Sequence, residues 1–182
     1  MPQNETIRDA ILDAAEGRAR VAGYNGFSFR DLANDVGIKS ASVHYHFPTK
    51  GDLAHELMER YRIRALETLG SPEDPDEALR KLTALFRAAA TGQEMCLCGA
   101  LGVSSAALPE PVQLSAKGFS HALMAWLKEV PGWEKGLPLP PETLVSLFEG
   151  ALLLSITARD PTFFEVAIAP LVSVTDSRRL RP

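Results

Sequence analysis

Residues 28–53, SFRDLANDVGIKSASVHYHFPTKGDL, constrain the fold more than any other stretch. They read as two short helices joined by a tight turn at Gly37, with Pro48 stopping the second. Ser28 followed by Asp31 has the spacing of an N-cap and an N3 acid, which satisfy orphan amides at a helix start. Leu32, Ala33 and Val36 recur at helical spacing and give the first helix one apolar face. Gly37 admits the left-handed backbone that a sharp helix exit needs. Val43 and Phe47 lie one turn apart, so they anchor the second helix and leave Ala41, Ser42 and Tyr45 on its opposite side. A short helix with a small, polar outer face fits a DNA major groove. The pattern is that of a helix-turn-helix.

Nearly half of the 182 residues are hydrophobic and charge is ordinary, so the chain is globular and long enough to bury a core. The longest apolar stretch, Ala151 to Leu154 followed by Ser155 to Ala158, reads as too short for a bilayer. Glu5, Asp9 and Asp13 stand where a signal peptide would be basic, so no membrane association and a cytoplasmic location are expected. The net charge is −4, and residues 1–60 hold seven Lys and Arg against nine Asp and Glu. Placement matters more than the sum, because charge is screened within ~10 Å at 0.1 M salt. From Val36 to Gly51 there are Lys39 and Lys50 and no acid. That small positive window makes tight DNA binding depend on dimerisation.

The remainder reads as helical. Residues 5–22 form a first helix with Ile7, Ile11, Ala14 and Ala15 inward, and Gly23 to Gly26 a turn. Thr49 caps a long fourth helix, with Asp52 at N3 and the ladder Leu53, Leu57, Tyr61, Leu66 and Leu69, which stops at Gly70. Asp76 to Ala90 is amphipathic and is broken by Thr91-Gly92. Pro109 and Pro111 open a helix through Phe119, Leu123, Trp126 and Leu127. Pro131 to Pro141 reads as a loop. Helices at about 142–158 and 161–174 close the fold, and 176–182 reads as a frayed tail.

Ile11 to Ala15, Gly23-Tyr24, Arg30 to Ala33, Val36 to Ile38 and Val43 to Leu53 together resemble the N-terminal signature of the tetracycline-repressor (TetR) family. The resemblance covers residues 5–57. An aromatic is common in the family where Ala19 stands, so Phe27 or Phe29 must fill the core; tyrosine is common where His44 stands. The resemblance implies an all-α fold, with a three-helix helix-turn-helix domain over 1–50 and a helical effector-binding and dimerisation domain over 51–182. It also implies a dimeric, ligand-responsive DNA-binding regulator, with repression favoured. Its partners would be a palindromic double-stranded operator, a small-molecule effector and a second copy of the chain.

Within that frame the DNA-contact candidates are Ser28, Lys39, Ser40, Ala41, Ser42, His44, Tyr45, His46, Thr49 and Lys50. Hydroxyls and lysines meet phosphates, and Tyr45 can lie against a thymine methyl. The plainer reading is a solvated face with caps at Ser40 and Thr49, one histidine packing inward. The last two helices are apolar almost all round, so they need more than one buried side. Their interface candidates are Leu147, Gly150, Ala151, Leu153, Leu154, Phe164, Ile168 and Leu171, unless both helices simply fill a monomer core. Paired across a two-fold axis, they would resemble the family's four-helix dimer bundle.

Candidates for an effector cavity are Phe86, Phe119, His121, Trp126, Phe148 and Glu149, with Tyr61, Met124, Lys117 and Arg87 as further groups that can serve there or pair among themselves. Cys96 and Cys98 cannot bridge each other at that spacing, and the four histidines show no zinc spacing with them, so no metal is expected. Both cysteines can be small buried hydrophobes. Because some members of the family sense oxidants or electrophiles through a cysteine, a thiol sensor with Cys98 at a helix start stays open. No nucleophile elbow, H-E-x-x-H or phosphate loop is present, so neither catalysis nor a cofactor is expected. The different-class alternative is a helical small-molecule binding protein without DNA function.

Overall fold

The computed structural model describes residues 2–103, 107–136 and 139–179, with side chains from 6 to 134 and 139 to 171 inside those spans. Among the described residues the regular structure is helical and no strand occurs, as the all-α reading requires. The helices are α1 (Pro2–Ala22), α2 (Phe29–Val36), α3 (Ser40–His46), α4 (Lys50–Leu69), α5 (Pro75–Gly92), α6 (Leu97–Gly102), α7 (Glu110–Lys128), α8 (Trp133–Gly136), α9 (Pro141–Ala158) and α10 (Thr162–Arg179), with a 3-10 turn at Tyr24–Gly26. Contacts gather into two compact units, Met1–Ile63 with Leu97–Ser120 and Arg64–Cys96 with His121–Pro182. This division differs from a cut at residue 50, because the start of α4, α6 and most of α7 group with the helix-turn-helix.

In the first unit Ile11, Leu12, Ala15 and Ala19 of α1 are buried with Leu32, Ala33, Val43, Phe47, Leu53 and Leu57. Leu12 takes an interior place, whereas Ile7 and Ala14 lie at the margin. Ala19 and Phe27 are both buried in this unit, and Phe29 stays half-buried. Arg60 of α4 reaches Asp13 of α1 at 2.7 Å, and Arg8 pairs with Glu56, so α1 and α4 are tied by charge as well as by packing. α6 lies on α1. There Gly23 has φ +70°, and a Cβ on it would sit 3.1 Å from the Ala100 carbonyl, so glycine is required twice over.

In the second unit Asp74 caps α5 by accepting from the Glu77 amide at 2.7 Å, with Pro75 at the first helical position. Thr91-Gly92 does not break α5. The helix runs through Gly92 and leaves at Gln93, which takes a left-handed φ of 55°. Phe86, Phe148 and Phe164 form an edge-to-face chain with ring centroids 5.3 and 5.8 Å apart. The expected loop 131–141 contains α8, because burying Trp133 stabilises one helical turn; residues 137–138 lie outside the described residues. α10 continues through Arg179 where a frayed tail is expected, and residues 180–182 lie outside the described residues.

α9 corrects one reading. At 18 residues and a mean hydropathy of 1.2 it is long and apolar enough to cross a bilayer by length and composition, where the shorter run at 151–158 is not. Leu144, Phe148, Ala151, Leu152 and Ser155 instead turn into the core, where α9 packs on α5 and α10.

Candidate nucleic-acid interface

The helix-turn-helix is set by local chemistry. The Ser28 hydroxyl accepts from the Asp31 amide, and the Asp31 carboxylate accepts from the Ser28 amide at 2.8 Å, a complete capping box. Those bonds from Ser28 hold the Asp31 carboxyl below its ordinary range. Gly37 takes φ +73°, and the Ile38 amide returns to the Ala33 carbonyl at 2.9 Å, which closes α2. Val43 and Phe47 are buried, so they fix the rotation of α3.

That rotation decides which candidates face outward. Lys39, Ala41, His44 and Tyr45 are exposed, Tyr45 at 76%, and Ser40, Ser42 and His46 are half-buried. Ser40 is not the cap of α3: Lys39 holds that position without a side-chain bond, and Ser40 begins the helix. The His44 ring stands edge-on to Phe29 at 4.7 Å, and His46 lies beside Phe47. Thr49 does cap α4, accepting from the Asp52 amide at 3.1 Å.

Lys50 departs from its expected place on the outer face. Its ammonium donates to the Phe27 carbonyl at 2.5 Å and lies 4.4 and 4.6 Å from the Phe27 and Tyr24 ring centroids. Burial pushes its pKa down, with the Asp31 charge opposing. The carbonyl and the two ring faces offer the cation an inward alternative to water. One residue absent from the candidates is Arg30, exposed in the first turn of α2 with no ion pair among the described residues. Its only signal is its position two residues after the Ser28 cap.

The effector candidates do not converge. Phe86 and Phe148 belong to the aromatic core of the second unit, and Phe119 packs against Tyr61 in the first. Trp126 donates its indole N–H to the Gly70 carbonyl at 2.6 Å, and His121 is exposed. Arg87 pairs with Glu165 at 2.6 Å.

Glu149 stands apart. Its carboxyl is pushed up by burial against a weaker opposing bond from Cys96, and Oε2 is buried without a hydrogen-bond partner among the described residues. A carboxyl whose folded pKa is raised binds its proton more tightly folded than unfolded. Stability is then lost as pH rises from the ordinary carboxylate range through the raised value. Glu149→Gln is therefore expected to stabilise the protein at neutral pH, with the gain vanishing in acid. Denaturant titrations between pH 4 and 8 check the convergence.

The two thiols differ, and neither is in a disulfide. Cys96 is buried; Cys98 is half-buried, and its Sγ donates to the Ala116 carbonyl at 3.3 Å and lies 3.2 Å from the Ser120 hydroxyl. Cys98 also lines an open cleft of about 470 Å³ beside α6 and α7, with Gly102, Leu108, Gln113, Leu114, Ala116, Lys117 and Ser120.

The interface candidates divide by burial. Ala151, Phe164 and Ile168 lie inside the protomer and offer nothing to a partner. Gly150, Leu153 and Leu154 are exposed, Leu147 and Leu171 half so. Phe163 and Val166, not among the candidates, are exposed at 49% and 73%.

Residues 11–57 match the family model for bacterial regulatory proteins of the tetR family. The chain is 26% identical over 168 residues to the HTH-type transcriptional regulator LmrA of Bacillus subtilis (strain 168), covering 85% of this chain and 89% of that one. A TetR transcriptional regulator from Legionella pneumophila matches in structure with a TM-score of 0.80 at 29% identity, over 94% of this chain and 96% of that one. A TetR-family transcriptional regulator from Agrobacterium tumefaciens matches with a TM-score of 0.79 at 28% identity, over 93% and 97%.

Proposed function

Because this chain is a DNA-binding transcriptional regulator of the TetR family, we propose that it is a homodimeric cytoplasmic repressor, released from a palindromic operator by a small molecule. The observation that carries the reading is the outer face of α3, where Lys39, Ala41, His44 and Tyr45 project from a helix pinned by Val43 and Phe47. One α3 per protomer enters each of two major grooves ~34 Å apart. Tyr45 and Ala41 meet base edges, while Lys39 and Arg30 meet phosphates and fix register. The exposed apolar residues of α9 and α10 support association about a two-fold axis. An effector that changes the spacing of the two α3 helices removes one half-site contact. No catalytic step belongs to this reading.

A thiol sensor of the same fold has one observation in its favour, the place of Cys98 on an open cleft. Donation from Cys98 Sγ to a carbonyl acts against it, since that bond favours the neutral thiol over the reactive thiolate. Reversible binding is the better supported trigger.

Selection of bound DNA from a random pool tests the proposal. A palindrome with half-sites about one helical turn apart is the expected product. Enrichment of no sequence overturns it and leaves a helical small-molecule binding protein without DNA function.

A further inference from the structure

The cleft beside α6 and α7 belongs to the same compact unit as the helix-turn-helix. Its walls are apolar at Gly102, Leu108, Leu114 and Ala116, and its polar groups are the Cys98 thiol, the Gln113 amide, the Ser120 hydroxyl and the Lys117 ammonium. Lys117 is the one charged group in this lining, which holds no carboxylate, and no ion pair among the described residues engages it. A volume of about 470 Å³ suits a small molecule. A cationic occupant would meet repulsion from Lys117, and a neutral one would gain nothing from that charge. An anionic head on a short apolar body complements both parts.

We propose that this cleft binds a small amphipathic carboxylate, its head on Lys117 and on the second N–H of the Gln113 amide, whose first donates to the Leu108 carbonyl at 2.8 Å, and its body against Leu108 and Leu114. The inference rests on the effector-released regulator above and names the site and chemical class of the effector. The route to DNA is short. α6 lies on α1, where the Ala100 carbonyl stands against Gly23, and α1 buries Ile11 and Ala15 in the core of the unit that holds α2 and α3. An occupant that shifts α6 therefore bears on the base of the helix-turn-helix.

Cys98 is a built-in reporter of occupancy, with buried Cys96 as the internal reference. The probe is decanoate, with decanol and decylamine as controls, and the readout is the rate of iodoacetamide labelling at each thiol by mass spectrometry. At about ten times its dissociation constant, decanoate is expected to slow Cys98 labelling roughly tenfold, with much weaker effects from decanol and decylamine.

Lys117→Gln removes the cation at an exposed position and is expected to abolish the protection. Gly102→Met fills the cleft: a Cβ there meets nothing within 4 Å, and the backbone is not left-handed. It is expected to do the same. Equal protection by decanol or decylamine, protection that survives Lys117→Gln, or no protection by decanoate overturns the proposal. Operator affinity of the probe-free Lys117→Gln protein, read by gel shift, is expected to be unchanged. A cleft that fails is thus distinguishable from a regulator that fails.

Discussion

Leu154→Glu is expected to give soluble, folded monomers that no longer bind operator, whereas Phe164→Glu is expected not to fold at all. The two residues lie on adjacent apolar helices but face opposite ways. Phe164 is fully buried, edge-on to Phe148, which in turn meets Phe86. Truncating such a residue to alanine costs about 3–5 kcal/mol, and an unpaired carboxylate there adds several more. A typical total stability of about 5–15 kcal/mol does not survive that. Leu154 is 58% exposed within the protomer, so its replacement removes little internal packing. In a two-fold interface the same change appears twice and buries two unpaired charges. Light scattering reads the mass, circular dichroism the fold and a gel shift the binding. A Leu154→Glu protein that stays dimeric and holds operator moves the interface off this face of α9.

The contrast between Leu154 and Phe164 also marks what sequence makes legible. The helix-turn-helix is readable because its determinants are local: a cap three residues from its acid, a glycine at a left-handed turn, two anchors one turn apart. α9 and α10 are readable as helices but not in rotation, since an almost uniformly apolar sequence carries no phase. Only burial separates Ala151, Phe164 and Ile168 from outward-facing neighbours such as Leu153 and Leu154. α5 runs through Thr91-Gly92 because glycine inside a helix costs only about 1 kcal/mol, which burial of Ala89 and Ala90 offsets. α8 depends on burial of Trp133 in the folded unit. Lys50 turns inward toward Tyr24 and Phe27, more than twenty residues earlier in the chain. The cleft beside α6 and α7 escapes sequence reading for the same reason: Cys98 and Lys117 become neighbours only once α6 lies beside α7.

On DNA, three substitutions are expected to fail in three different ways. Lys39 is exposed at the start of α3, so Lys39→Ala is expected to weaken all sequences about equally and reduce the salt slope by about one per subunit. Lys50→Ala is expected to leave that slope alone and lower the melting temperature. Its ammonium bonds the Phe27 carbonyl, and a bond of that kind contributes about 1.5–3 kcal/mol when buried and less at this half-exposed position. A flattened salt dependence with an unchanged melting temperature would show Lys50 on phosphate in the complex. Tyr45→Ala carries the largest effect on specificity. The ring is 76% exposed and stands edge-on to His46, so its loss leaves the fold intact. If it reads a base edge, the preference for operator over random DNA falls by about 1–3 kcal/mol per half-site, and a palindrome counts that loss twice. Titration of both DNAs at one salt concentration separates the outcomes. Parallel weakening of operator and random DNA would reduce Tyr45 to a backbone contact and shift base reading to Ala41, Ser42 and His44.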